Sequence, residues 1–391
     1  MRNKLSTLAV VTAAGLLLAA CGGGEDGEGG GSRNLAGEGT GDSCVIEDPV
    51  PVAAALSLTG AAASYGESQQ KGLQLAKKHL DEKEGVTYDL TIEDDQTDPR
   101  QGITVFEQFV ADDGASVIIG PTLSNGAFQA QPVAQEAGVP VLAISNTAAG
   151  ITEQGDYIFR DSLTEGQVIP QTVAKAKEVY DLEKVIVMYS NDDAFTESGY
   201  EVFASALEEE GVEVIDTLTF SKSDTDFRSL LTEAKGAEPD ALIVSALIEA
   251  AIPLVSQARQ LGMEVPIVGG NGFNNPQLMA DAGEAAEGVV VGAAWNSSSD
   301  NPENADFLEA FQGEYDAAPD QFAAQAYTGL MLIDQAVRAN CSGERDDIKD
   351  GLGGIEDVPT VLGELSINEN RDAEHDAVVQ VVEDGTFTVL E

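Results

Sequence analysis

Apolar positions along the chain form short unbroken runs, and between the runs lie longer stretches where they recur every third or fourth residue. The runs predict strands over residues 50–57, 88–93, 116–119, 141–144, 157–160, 184–189, 212–220, 241–244, 266–268 and 289–293. The periodic stretches predict helices over residues 67–83, 100–112, 127–137, 167–179, 201–210, 227–235 and 248–261, and a long helix before Cys341. Strand and helix in steady alternation imply α/β architecture with parallel sheets covered on both faces. No repeat of 20–50 residues with a fixed signature is visible, which argues against a solenoid.

The stretch from 118 to 145 is the most regular of these units. An apolar run stops at Gly120-Pro121, and Ser124 and Asn125 stand where a helix N-cap is expected. Gly138-Val139-Pro140 ends the helix before the next buried run. Ligands in open α/β sheets bind beside such strand-to-helix loops, and a helix start offers free N–H groups to a carboxylate. The same pattern also describes an ordinary capped helix between two strands.

Residues 1–20 carry a short basic end and an apolar core and are expected to be a signal peptide. Leu18-Ala19-Ala20-Cys21 followed by Gly22 fits a lipoprotein processing box, so Cys21 is the expected lipidation site. Residues 21–43 then form a glycine-rich acidic tether with little to bury, expected to be disordered. No later apolar run reaches eighteen residues, so the membrane is met through the lipid anchor only.

Sixty-eight acidic against twenty basic residues give a formal charge of −48, a poor surface for nucleic acid or anionic lipid. Acidic residues spread along the whole chain suit work at high salt, where screening makes a dense negative surface tolerable. Besides Cys21, the chain has Cys44 before the first strand and Cys341 after a long helix. Outside the cytoplasm the two are expected to pair; two free buried thiols are the alternative. Two histidines, with no Gly-x-Ser-x-Gly elbow, phosphate loop or paired CxxC, give an enzyme little material. Neither a cofactor nor a metal site is expected.

Several short motifs together resemble the leucine/isoleucine/valine-binding proteins, the extracytoplasmic substrate-binding family of ABC importers with the type I periplasmic-binding-protein fold. They are Leu58-Thr59-Gly60 with Tyr65-Gly66, Asp94-Asp95 with Asp98-Pro99, and Gly120-Pro121 with Ser124. Gly155-Asp156-Tyr157 with Arg160, Gln257-Ala258-Arg259 with Gly262, and Ala285-Ala286-Glu287-Gly288 follow in order. The resemblance implies two doubly wound parallel-sheet lobes joined by three crossover hinges, with the ligand cleft between them. It places the first lobe at 44–163 and 295–361 and the second at 164–294 and 362–391. It also implies a monomer that closes over a small solute, most simply a branched-chain amino acid, and delivers it to permease and ATPase subunits. A sensor presenting ligand to a membrane signalling protein would use the same clamp.

On this resemblance Ser124, with Asn125 beside it, holds an amino-acid carboxylate. Thr147, Ala148 and Ala149 form the next loop, where Ala149 stands at a usual threonine unless Thr147 replaces it. Tyr65 is a first-lobe aromatic, and Phe195, Leu247, Glu249 and Asn271 face it from the second lobe. Asn271, between Gly270 and Gly272, departs from the family, which commonly has an acidic residue there for the ammonium. Either Asp192, Asp193 or Glu249 supplies that charge, or the ligand is an amide, urea or small organic acid. Trp295 is expected at a crossing, lining the pocket or simply packed.

Overall fold

A computed structural model describes residues 33–112 and 114–391. The expected signal peptide and the expected lipidation site Cys21 lie outside the described residues, and residues 34–391 form one compact unit.

The first sheet has the order β2-β1-β3-β4-β5, all parallel, from β1 (Val50–Leu56), β2 (Tyr88–Asp94), β3 (Val117–Ile119), β4 (Val141–Ala143) and β5 (Ile158–Arg160). Between these strands run α1 (Ala63–Asp81), α2 (Pro99–Ala111) and α3 (Ser124–Glu136). The chain then crosses at 161–164 into a second unit. There α4 (Glu165–Tyr180), β6 (Lys184–Ser190), α5 (Ala194–Glu210), β7 (Glu213–Phe220), α6 (Arg228–Gly236), β8 (Ala241–Ser245), α7 (Ile248–Gln260), β9 (Ile267–Gly269), α8 (Gln277–Ala282) and β10 (Val289–Ala293) follow in turn. A second crossing brings α9 (Pro302–Tyr315), α10 (Gln321–Asn340) and α11 (Arg345–Gly353) back onto the first unit. After β11 (Val358–Thr360), β12 (Gly363–Ile367) and β13 (Ala373–Glu374), a third crossing leads to β14 (Val378–Glu383) and β15 (Thr386–Val389). These last two join the second sheet, ordered β15-β14-β10-β9-β8-β6-β7. The fold is thus two α/β lobes linked three times.

Why the sheets sit where they do follows from burial. All seven residues of β1 and all five of β8 and β10 are buried, as parallel strands covered on both faces must be. Gly120, after β3, has φ +102° and lies so close to β1 that a Cβ would come 2.3 Å from the Ala55 carbonyl oxygen. No other residue type fits that turn.

The structure differs from the sequence pattern at several places. Residues 34–43, expected as part of a disordered tether, are ordered: Gly37 N donates to Cys341 O at 2.9 Å, Glu38 pairs with Val45, and a 3-10 turn spans Gly41–Ser43. Cys44 and Cys341 are bridged, with Cα atoms 5.3 Å apart. The bridge fixes the end of α10 beside this segment and supplies backbone partners that composition alone does not reveal. Helix α5 begins at Ala194 rather than 201, because Asp193 caps it by accepting from Thr196 N, and its first turns bury Phe195 at the cleft, place Ser198 Oγ on Ala149 N of the other lobe and pack Gly199 on Ser245 of their own sheet. Ser124 is the first helical residue of α3, not its cap; Leu123 holds the cap position and makes no side-chain bond there. The boundary expected at 362 also shifts, since Leu362, Leu365, Ile367 and Ala373 pack into the first lobe's core and only the chain from β14 onward joins the second sheet.

Candidate functional site

Where the two lobes face each other, a small cavity of about 20 Å³ is enclosed by Tyr65, Thr122, Leu123, Ser124, Ser145 and Phe322 on one side and Asp193, Phe195, Leu247, Asn271 and Gly272 on the other. That is room for roughly one water. Residues from the start of α1, α3 and α5 meet here because each of these helices follows a strand end at the cleft-facing edge of its sheet, and α10, which follows α9, brings its first turn to the same place.

On the first-lobe wall the polar groups bond to one another. Gln69 Nε2 donates to Ser145 Oγ and Thr122 Oγ1 donates to Gln69 Oε1, both at 2.7 Å, while Ser145 Oγ donates to Thr122 O. Ser124 is buried, and its Oγ accepts a long 3.5 Å bond from Ala148 N. Its hydroxyl therefore stays available at the N-terminal turn of α3, where the helix dipole favours an anion.

Tyr65 fastens the two walls together. Its hydroxyl donates to Gly272 O and accepts from Ile248 N, each at 2.7 Å, and its ring packs 4.6 Å from Phe322. Burial and the nearby carboxylates of Glu249, Asp193 and Asp320 hold the phenol well above its ordinary pKa, so it remains a neutral donor.

Asn125 does not line this cavity. It spans the cleft instead, with Nδ2 donating to Asp193 Oδ2 at 2.5 Å and Oδ1 accepting from Ala194 N at 2.9 Å. Thr147, Ala148 and Ala149 also lie behind the cavity wall rather than on it. Thr147 Oγ1 donates to Glu165 Oε1 at 2.7 Å, and Ala149 N donates to Ser198 Oγ at 3.0 Å, so this loop joins the lobes near the first crossing. Burial pushes the Glu165 carboxyl up to about 7.

Asn271 is in the cavity wall, yet its Oδ1 already accepts from Gln321 Nε2 at 2.5 Å. That leaves Nδ2, a donor, as its uncommitted polar atom, which suits a carbonyl or carboxylate better than an ammonium. The one carboxylate lining the cavity is Asp193, 2% exposed and raised by burial; its oxygens accept from Thr196 N and Asn125, with Lys222 Nζ 4.0 Å away. Asp192 turns away to the Ser221 and Lys222 loop.

Glu249 lines a second, outer chamber of about 340 Å³, which shares Leu123, Asp193 and Leu247 with the cavity and also meets Asp95, Asp98, Asn125 and Lys222. Its Oε2 is buried without a hydrogen-bond partner, and burial followed by the charge of Asp193 pushes it up to about 7. Trp295 takes no part: its Nε1 donates to Asn304 Oδ1 and its ring packs against Phe307 in the first lobe's core.

The cavity thus gathers Tyr65, Ser124, Phe195, Leu247 and Asn271 from the expected set and adds Thr122, Leu123, Ser145, Asp193, Gly272 and Phe322. Gln321 and Phe322 had no sequence signal, because the helix that begins with them reaches the cleft only through the second crossing. Asp193 was visible as a carboxylate but could not be placed ahead of Asp192.

Two α/β lobes, three crossings and a polar cavity between them define a bilobed solute clamp. Residues 49–386 match the family described as periplasmic binding protein, and the chain belongs to that family. It is 25% identical over 334 residues to the leucine-, isoleucine-, valine-, threonine- and alanine-binding protein of Pseudomonas aeruginosa, covering 83% of this chain and 87% of that one. The branched-chain amino acid transporter substrate binding protein LivJ of Streptococcus pneumoniae, solved with isoleucine, superposes with a TM-score of 0.83 at 26% identity, covering 87% of this chain and 98% of that one. A solute binding protein of an ABC transporter from R. palustris, solved with benzoate, shares the fold with a TM-score of 0.81 at 23% identity, covering 88% and 96%.

Proposed function

We propose that this chain is the solute-binding component of an ABC importer and that its solute is a small α-amino acid with an apolar side chain, of the branched-chain class. The observation that carries this reading is the pairing of opposite chemistries across one cavity. A free hydroxyl at a helix start stands on one lobe, and a buried carboxylate, Asp193, stands on the other. Such a pair complements a zwitterion, while Leu123, Phe195, Leu247 and Phe322 supply apolar contact. The relatives named for leucine, isoleucine and valine support the same class.

In this mechanism the solute docks on Ser124 and Tyr65, and the second lobe swings in about the crossings until Asp193 meets the ammonium. The Tyr65 hydroxyl then bridges Gly272 and Ile248, and Asn125 engages Asp193. Because the cavity here holds about one water, the lobes stand further apart around a solute than in this structure. A lipid anchor at Cys21 would keep a monomeric receptor at the extracytoplasmic face of the cell membrane, presenting the closed form to permease and ATPase subunits.

Asn271 supports one competing reading, a small organic acid without an amine, because its free group is a donor. Melting of the refolded domain from Asn34 onward separates the two when leucine, isoleucine and valine are compared with their deamino analogues. At a hundredfold excess over the dissociation constant a ligand adds about 2.7 kcal/mol, a clear shift. Stabilisation by the amino acids supports the zwitterion; stabilisation by the deamino acids alone overturns it.

A further inference from the structure

Seven of the ten buried side-chain nitrogen and oxygen atoms that lack a hydrogen-bond partner among the described residues belong to five residues: Asp161, Ser162, Gln325, Thr328 and His375. Asp161 and Ser162 lie on the first crossing, His375 opens the third, and Gln325 and Thr328 stand within one turn of α10. Asp161 packs directly on that turn, since a Cβ at Gly329 would lie 2.9 Å from Asp161 Oδ2. His375 faces the Asp161 backbone.

Asp161 is 0% exposed and neither carboxylate oxygen has a partner. An unpaired buried carboxylate is costly, so such a group is matched by a cation, a set of donors or a proton, and burial holds the Asp161 carboxyl well above its ordinary pKa in the absence of an ion. Among the described residues no cation is brought to it. Arg160, the adjacent residue, gives Nε to Asp372 and Nη1 to the carbonyls of Asn146 and Ala148. Arg371 bonds the carbonyls of Ile158 and Thr152. His375 is held neutral by burial, its pKa lowered to about 4.

The uncommitted oxygens here are one carboxylate, two hydroxyls and an amide carbonyl, all hard donors with a single negative charge among them. No group of three or more His, Cys, Asp or Glu side chains among the described residues could hold a metal, so a multivalent ion lacks the anionic ligands it needs. We propose that these residues at the hinge bind one hard monovalent cation of the sodium or potassium class, coordinated by Asp161 with Ser162, Gln325 and Thr328, and that the ion ties the first crossing to α10. Only Gly329 leaves room for the carboxylate beside the helix. The ion sits apart from the solute cavity and does not depend on which solute the cleft takes.

The test is melting temperature in sodium, potassium and choline chloride at matched ionic strength. Screening of the −48 charge raises stability in all three salts alike, so only a difference between cations reports the site. The expected result is a saturable rise of roughly 2–4 °C in sodium or potassium over choline, absent in Asp161→Asn and reduced in Thr328→Val. If Asp161→Asn does not fold, Gln325→Leu takes its place with the same expectation. Equal melting in the three salts, or a rise that survives in every variant, overturns the proposal in favour of water or a protonated Asp161.

Discussion

The two walls of the cleft are built on opposite electrostatic plans. On the first-lobe wall Gln69, Thr122 and Ser145 bond to one another and only neutral hydroxyls and N–H groups face the cavity, with Ser124 at the helix start. The second-lobe wall carries one buried carboxyl group, Asp193, raised by burial, with the raised carboxyls of Glu165 and Glu249 outside the cavity. A neutral, mutually satisfied wall is rigid before ligand arrives, whereas buried carboxylates remain unfavourable until something positive or a proton meets them. The first wall therefore selects an anionic group by geometry, and the second makes closure depend on charge.

Replacing Asp193 with Asn breaks this comparison most sharply. Affinity for branched-chain amino acids should fall by about 2–5 kcal/mol, the range for truncating one partner of a buried charge pair, with little change for deamino analogues. Calorimetry with both ligand sets checks it, and equal losses for both would move the ammonium elsewhere. Ser124→Ala should cost roughly 1–3 kcal/mol against amino and deamino acids alike, because only the carboxylate contact is lost. Unchanged affinity would remove Ser124 from the site.

The raised carboxyls also predict a pH dependence. Glu165 bonds Thr147 across the lobes, and burial raises its carboxyl to about 7 in the closed form. Opening hydrates the group and returns it towards the ordinary carboxylate range, so closure takes up a proton. Affinity is then greatest at the acidic end and falls as pH rises towards 7, by up to about tenfold per unit for one group. In Glu165→Gln that slope should flatten. The smallest effect is expected from Tyr65→Phe, which removes the bonds to Gly272 and Ile248 and should weaken closure by about 1–2 kcal/mol, visible as faster ligand release.

Much of this molecule was legible before any coordinates. Apolar runs located the strands of both sheets as far as β10, since a parallel strand buried on both faces has to be apolar throughout, and Gly120-Pro121 with Ser124 marked the loop that faces the cleft. The same logic fails at the start of α5, where Phe195 and Ser198 meet the cleft and the opposite lobe while polar Thr196 and small Gly199 are buried on their own sheet, so no apolar helical period marks the turn. From α9 onward it gives only the long helix before Cys341, and β11 to β15 are not among the predicted strands.

What the sequence by itself determined is the local alphabet: α/β alternation, an acidic composition, and the strand-to-helix loop that carries Gly120-Pro121 and Ser124. Tertiary structure alone decided that Asp193 rather than Asp192 reaches the cavity, that Gln321 occupies the Asn271 carbonyl, and that Asp161 is buried beside Gly329. Each of these depends on two chain segments far apart in sequence meeting at the crossings, and spacing along one chain carries no record of that meeting.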